Sequence, residues 1–139
     1  MDIKIKKTHD KAAWRVATEG AAGIDFAACS IDYINLGTQA KYGLGVSIEI
    51  PSGHVGLLVP RSSVVRRGLL LSNSVGVIDS DYRGELSVVF EIRSVSDIYR
   101  PGEYVCQLII LPLPQINIIE SASLSETQRG SGGYGSTGN

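Results

Sequence analysis

The sequence predicts an all-β domain, a sandwich or barrel of short strands. Three observations predict it. Apolar residues alternate with polar ones in short runs. Turn signals separate those runs at intervals of about 8–12 residues. Glycine (16) and proline (5) interrupt nearly every ten-residue window after Gly20, which leaves little room for a long helix.

The elements follow in chain order. Ile3 and Ile5 alternate with charged residues. Alanine-rich residues 21–28 read equally as strand or loop. Val46, Ile48 and Ile50 alternate with Ser47 and Glu49, and Pro51-Ser52-Gly53 then turns the chain. Residues 55–59 form the next run, closed by Pro60. Ser62-Ser63-Val64-Val65-Arg66-Arg67-Gly68 is a local exception: a serine N-cap and a glycine past the end predict one short helix of one or two turns. Leu86, Val88, Phe90 and Ile92 make one face of a strand whose other face is Glu85, Ser87, Val89, Glu91 and Arg93. Pro101-Gly102 fits the centre of a type II turn. It launches residues 104–111, apolar on both faces except at Gln107 and therefore a buried strand. Ile116 to Ile119 closes the series.

A chain of 139 residues makes one domain the default. Residues 1–128 read as that domain. Residues 129–139 hold five glycines in eleven positions and read as a flexible tail that adds little to a core. With 43% hydrophobic residues and a mean hydropathy of +0.10, the chain is too apolar to be disordered. No apolar run approaches the roughly 20 residues that cross a bilayer, and MDIKIKKTHDK lacks the apolar segment of a secretory signal. Thirteen basic against fourteen acidic residues argue against broad binding to a nucleic-acid backbone. Cys29 and Cys106 sit among apolar or small residues and read as reduced core thiols, not a disulfide or a zinc site. The expectation is a soluble intracellular protein, cytoplasmic or, from a eukaryotic host or virus, nuclear.

Five segments carry potential chemistry. In the tail RGSGGYGSTG, glycines let backbone N–H groups approach an anion, and Ser136 and Thr137 add hydroxyl donors. Arg129 brings a fork suited to phosphate, and Tyr134 can lie over a flat ligand. Arg61-Ser62-Ser63 stands at a helix start, where N–H groups attract phosphate or a serine simply caps. In NSVGVIDSDYRG (residues 73–84) the Asn73 amide can pair with a ring carbonyl and an N–H together. Asp79 can take a proton from water there and Tyr82 can pack on a sugar; the same residues also suit a plain turn. Gln107, polar in an apolar strand, needs a ligand or a structural partner. Asp25 is either a Mg²⁺ ligand, directly or through water, or a turn residue. His9 and His54 have no triad-like context.

The order and spacing of these segments resemble the trimeric dUTPases, whose five motifs correspond to AAGIDFAA (residues 21–28), PRSS (60–63), NSVGVIDSDYRGE (73–85), GEYVCQLI (102–109) and RGSGGYGSTG (129–138). The resemblance implies a jelly-roll-like β fold, a homotrimer with shared active sites, and Mg²⁺-dependent hydrolysis of dUTP to dUMP and pyrophosphate. It implies that Asp79 orients and deprotonates the attacking water, and that Asn73, with backbone around Gly76, reads uracil. Tyr82 would pack on deoxyribose and exclude a 2′-hydroxyl. Arg61, Ser62, Ser63 and Gln107 would hold the phosphate chain, and Asp25 would meet the metal through its water shell. Arg129, Ser136 and Thr137 would clamp the γ-phosphate as the tail closes, with Tyr134 stacking on uracil and Gly135 beside it in the substrate-binding set. Two positions depart from the pattern: Tyr104 stands where arginine is usual, and Tyr134 where phenylalanine is usual.

Two alternatives follow from the same residues. Arg61-Ser62-Ser63-Val64-Val65-Arg66 also resembles a signature of the dCTP deaminases, some of which are bifunctional and hydrolyse dUTP. Their deaminating glutamate falls on Val89 here, with Glu91 two residues on and facing the same side. A regulatory binding protein on a dUTPase fold, with a protein partner, is the other.

Overall fold

In the computed structural model, which describes residues 1–138, the chain forms eleven strands in three antiparallel sheets. They are β1 (Lys4–Lys7), β2 (Trp14–Arg15), β3 (Ile24–Ala27), β4 (Ser30–Ile34), β5 (Gln39–Gly43), β6 (Val46–Glu49), β7 (His54–Pro60), β8 (Leu69–Leu71), β9 (Gly76–Ile78), β10 (Ser87–Ile92) and β11 (Tyr104–Pro112). A five-stranded sheet runs β2-β3-β11-β7-β9, a four-stranded sheet β4-β5-β10-β8, and β1 pairs with β6 alone. This is the all-β, jelly-roll-like architecture that the sequence predicts. No helix among the described residues is long and apolar enough to cross a membrane.

One hydrophobic cluster packs the two larger sheets together. It takes Phe26, Leu58, Val105 and Leu108 from the five-stranded sheet and Ala40, Tyr42, Leu71, Val88 and Phe90 from the other, all buried. The alternation in β10 works as read: Val88 and Phe90 point inward while Glu91 is exposed. At the centre, Tyr42 meets Phe90 and Tyr99 edge-on, with ring centroids 5.9 and 6.4 Å apart. Such pairing suits the ring quadrupoles.

The longest strand, β11, is buried on both faces for a specific reason. Its register against β3 slips between Tyr104 and Cys106. That bulge breaks the period-two alternation, so the neighbours Val105 and Cys106 are both fully buried. The turn that launches β11 has Gly102 at φ +94°, as a type II turn requires.

Three expectations change. Residues 116–119 form no strand: β11 ends at Pro112, and Ile116, Ile118 and Ile119 are 76–89% exposed. The segment is apolar, yet it pairs with none of the open sheet edges. The single short helix is a 3-10 turn at Ser62–Arg66 capped by the backbone of Arg61, with no side-chain cap, and a second 3-10 turn lies at Val95–Asp97. The β4–β5 hairpin was not anticipated. Of β4, three of five residues are exposed, and the inward residues of β5 are Ala40, Tyr42 and Gly43, so neither shows a strong apolar alternation. Asn139, the last residue of the predicted tail, lies outside the described residues.

Candidate active site

The predicted site residues fall into three groups, each built by a different part of the fold. The first is a cross-strand row on the five-stranded sheet. Arg15 on β2 registers with Asp25 on β3, Asp25 with Gln107 on β11, and Gln107 with Val59 on β7. Directly opposed residues of antiparallel strands share a face, so this row aligns two predicted residues with one that sequence reasoning missed. Asp25 is buried, at 6% exposure. A buried carboxylate needs partners, and it has two: Arg61 Nε lies 3.0 Å from Oδ1 and Arg15 Nε 3.4 Å from Oδ2. Gln107 donates from Nε2 to the carbonyl of Pro60 at 3.1 Å. Its amide carbonyl lies over Gly23, where a Cβ would come within 2.9 Å of it, so a side chain there would push the amide aside.

Arg61 and Ser63 flank the start of the 3-10 turn that follows β7, while Ser62 is exposed. The Ser63 hydroxyl is held 2.8 Å from the phenol of Tyr99, which is itself 1% exposed. Behind it, the Tyr42 hydroxyl donates to the Tyr99 carbonyl at 2.9 Å. The Arg67 guanidinium lies 4.6 Å over the Tyr99 ring and pairs with Glu103 at 2.7 Å. This support was invisible in the sequence, because Ser63 and Tyr99 are 36 residues apart.

The second group lies on β9 and the segments that flank it. Asn73 and Gly76 line a cleft of about 390 Å³ with Leu58, Ser72, Ser87 and Val89. Asp79 and Tyr82 line an adjoining cleft of about 130 Å³ that shares Val77, Ile78 and Ser87. Ser74 takes φ +61°, a left-handed conformation that a non-glycine residue holds at a cost of about 1–3 kcal/mol and that clusters at functional sites. Past β9, the Tyr82 amide donates to the Asp79 carbonyl at 3.1 Å, closing a turn. The Tyr82 hydroxyl donates to the Glu85 carbonyl at 3.2 Å. Arg83 bridges the carbonyls of Ser80 and Tyr82 at 2.7 and 3.0 Å. Asp79 itself is exposed.

The third group is the tail. Arg129, Ser136 and Thr137 line an open cleft of about 590 Å³ together with Thr127, Gln128 and Gly132. Arg129 Nε donates to the Gly132 carbonyl at 2.9 Å, and Tyr134 is fully exposed, with Gly135 after it at φ +90°.

A single chain does not bring the groups together. Asp25 and Asp79 are separated by three strand spacings, from β3 to β9. Asp79 also follows Ile78, which pairs with Gly56, whereas the row of Asp25 meets Val59. With about 4.8 Å between strands and 3.3 Å per residue along them, the two carboxylates lie roughly 20 Å apart.

Among the described residues there is no group of three or more His, Cys, Asp or Glu able to hold a metal. Mg²⁺ does not need one, since it binds through one or two carboxylates plus substrate phosphates. Arg61 and Arg15 engage both oxygens of Asp25, so its contact with such an ion would run through the ion's water shell. Both cysteines are free thiols, and burial raises the pKa of Cys106 far above the usual thiol value and that of Cys29 less. Neither has the low pKa of a reactive cysteine.

An exposed acid, Asp79, thus stands beside a cleft, and two arginines surround the buried carboxylate of Asp25, a charge arrangement suited to an anionic ligand. Comparison with known proteins makes this specific. Residues 10–138 match the family model described as dUTPase. A deoxyuridine 5′-triphosphate nucleotidohydrolase of Escherichia phage T5 is 39% identical, covering 98% of both chains. One from Hydrogenobaculum sp. is 37% identical over 99% of both. Among solved structures, a dUTPase of Staphylococcus bacteriophage 80alpha with dUpNHpp superposes with a TM-score of 0.85 at 22% identity, covering 99% of both chains. A dUTPase of phage phi11, described with a structural Mg(II) ion, gives 0.76 at 19% identity, covering 88% of this chain and 98% of that one. The chain belongs to the dUTPase family.

Proposed function

We propose that this protein hydrolyses dUTP to dUMP and pyrophosphate, limiting uracil incorporation into DNA and supplying dUMP. The observation that carries the reading is the family match running unbroken from residue 10 to 138, through every segment in which the candidate residues lie. Asn73, with the backbone at Gly76, pairs with the uracil edge in the larger cleft. Tyr82 packs on deoxyribose. Asp79 orients a water and takes its proton as the oxygen attacks the α-phosphorus. The bond from that phosphorus to the α,β-bridging oxygen breaks, and pyrophosphate leaves. A positioned base of this kind contributes about 10²–10⁴-fold in rate.

A triphosphate carries about three to four negative charges, which demand charge-assisted donors around it. Arg61, Ser62, Ser63 and Gln107 supply them from the phosphate side. Asp25 would meet Mg²⁺ through the ion's water shell, and the ion would supply charge neutralisation and Lewis-acid polarisation at the phosphates. Residues 1–128 act as the β domain and residues 129–139 as a lid: Arg129, Ser136 and Thr137 close on the γ-phosphate, with Gly135 and the Tyr134 ring over uracil. Closure excludes water from the site.

The active unit is a homotrimer with shared sites. Two observations support this. Asp25 and Asp79 are roughly 20 Å apart in one chain by strand spacing, too far to meet one triphosphate. Val77, Leu111, Leu113, Ile116, Ile118 and Ile119 are 42–89% exposed in the single chain, apolar surface of the kind that marks an interface. The deaminase alternative draws no comparable support: apolar Val89 lines the larger cleft and Glu91 does not.

The test is pyrophosphate release with Mg²⁺ from dUTP, dCTP, dTTP and UTP, with ammonia followed in the dCTP reaction. Release from dUTP alone is expected. Ammonia from dCTP would move the protein to the deaminase branch, and no turnover would leave the regulatory binding protein.

A further inference from the structure

We propose that Arg15 is a phosphate-binding residue of this site, gripping the end of the nucleotide's phosphate chain from the edge strand β2. The inference rests on the dUTP reading above and extends it to a residue outside the five segments. Arg15 stands directly opposite Asp25 in the ladder, at the end of the row that continues to Gln107. Its position therefore places it on the face that carries the candidate phosphate-binding residues.

The side chain is held without being used up. Its Nε engages Asp25 at 3.4 Å, and its Cζ lies 4.2 Å from the centroid of the Tyr104 ring. The Arg61 guanidinium approaches the same ring at 5.7 Å. A guanidinium against an aromatic face keeps its edge free for ligands. The bulge after Tyr104 takes this ring out of the strand's regular alternation, which is how bulges re-aim a side chain. The Arg15 side chain remains 48% exposed, and its terminal Nη groups make no hydrogen bond among the described residues.

Charge points the same way. Two guanidinium groups surround one carboxylate, which leaves a surplus positive charge at the edge of the sheet. The planar fork of a guanidinium matches phosphate oxygens in pairs. A single ion pair with Asp25 would need only Arg61, which is the closer and less exposed of the two.

The test is calorimetric titration of the full chain with dUpNHpp, the triphosphate analogue with a nitrogen bridge, and separately with dUMP. Wild type, Arg15→Ala and Arg15→Gln are compared; glutamine keeps a donor for Asp25 while removing the charge. Loss of a hydrogen bond to a charged partner predicts dUpNHpp binding weakened about tenfold to a hundredfold in both variants. Binding of dUMP should be unchanged. Unchanged dUpNHpp affinity in Arg15→Gln overturns the proposal. Equal loss for both ligands also overturns it, because that is what a purely structural partner of Asp25 would give. Wild type that binds neither ligand overturns the dUTP reading itself, and this inference with it.

Discussion

Removing one oxygen from Tyr99 probes the hidden support of the Ser62–Arg66 turn. In Tyr99→Phe the ring stays where it is, 6.4 Å from Tyr42, 6.3 Å from Phe90 and 4.6 Å from the Arg67 guanidinium. What goes is the 2.8 Å hydrogen bond to the Ser63 hydroxyl. Ser63 is half-buried, so its hydroxyl can turn to water and no stranded group adds to the cost. The expected loss is about 1 kcal/mol, or roughly 2–6 °C in Tm for a chain of this size. Ser63→Ala costs more, about 1–3 kcal/mol, because it strands the buried Tyr99 hydroxyl. The double variant should cost less than the sum of the singles, with a coupling of about 1 kcal/mol. Urea unfolding of all four proteins at one protein concentration measures the cycle, since association would otherwise shift the apparent stability. Costs additive to within about 0.3–0.5 kcal/mol would refute the bond as a support of this turn.

Further outcomes follow from the same geometry. At Gly84 a Cβ would stand 2.6 Å from Tyr82 Cζ, so Gly84→Ala must dislodge the ring; the preference for dUTP over UTP should fall about tenfold, read as the ratio of kcat/KM values, with little change in folding. Burial pushes the Tyr42 phenol up to about 12 from its ordinary 10. Its contribution to stability is whole below the unfolded value and lost as pH rises from about 10 to about 12. The urea midpoint should therefore drop more steeply over that range in wild type than in Tyr42→Phe, and parallel curves would rule the phenol out. Deleting residues 129–139 should leave folding intact and abolish efficient hydrolysis. Reassembling that truncated chain with Asp79→Asn chains should restore turnover, because one copy then supplies the tail and another the base; no recovery would argue against shared sites.

Much of the β scaffold was legible in the sequence because its signals are local. The period-two pattern in Val88 and Phe90, and the turn at Pro101-Gly102, each report a half-buried strand or a positive φ. The elements that escaped are those whose reasons are not local. Strands β4 and β5 carry few large apolar residues, and their pairing with each other and of β5 with β10 is set by tertiary context. Residues 116–119 have the composition of a strand but pair with none of their own chain's sheet edges. Ser62 looks like a cap, yet the backbone of Arg61 takes that place.

The site shows the same division. Asp25, Arg61, Gln107, Asn73, Asp79 and Tyr82 stand out one by one, as chemically committed residues among apolar or glycine-rich neighbours. Which of them share a cluster depends on strand register. That is why Arg15, an ordinary charged residue in sequence, and Tyr99, an apparent core aromatic, became visible only through their partners Asp25 and Ser63. The wide separation of Asp25 and Asp79 is likewise a property of strand order, which no local pattern encodes.

The central claim is that Asp79 activates the water that cleaves dUTP. It is tested most directly by Asp79→Asn, with turnover of dUTP and affinity for dUpNHpp measured on the same preparation. Asparagine keeps the size of the side chain but cannot take the proton. The account predicts affinity close to wild type and turnover lower by about 10²–10⁴-fold. Near-normal turnover with intact binding would contradict it.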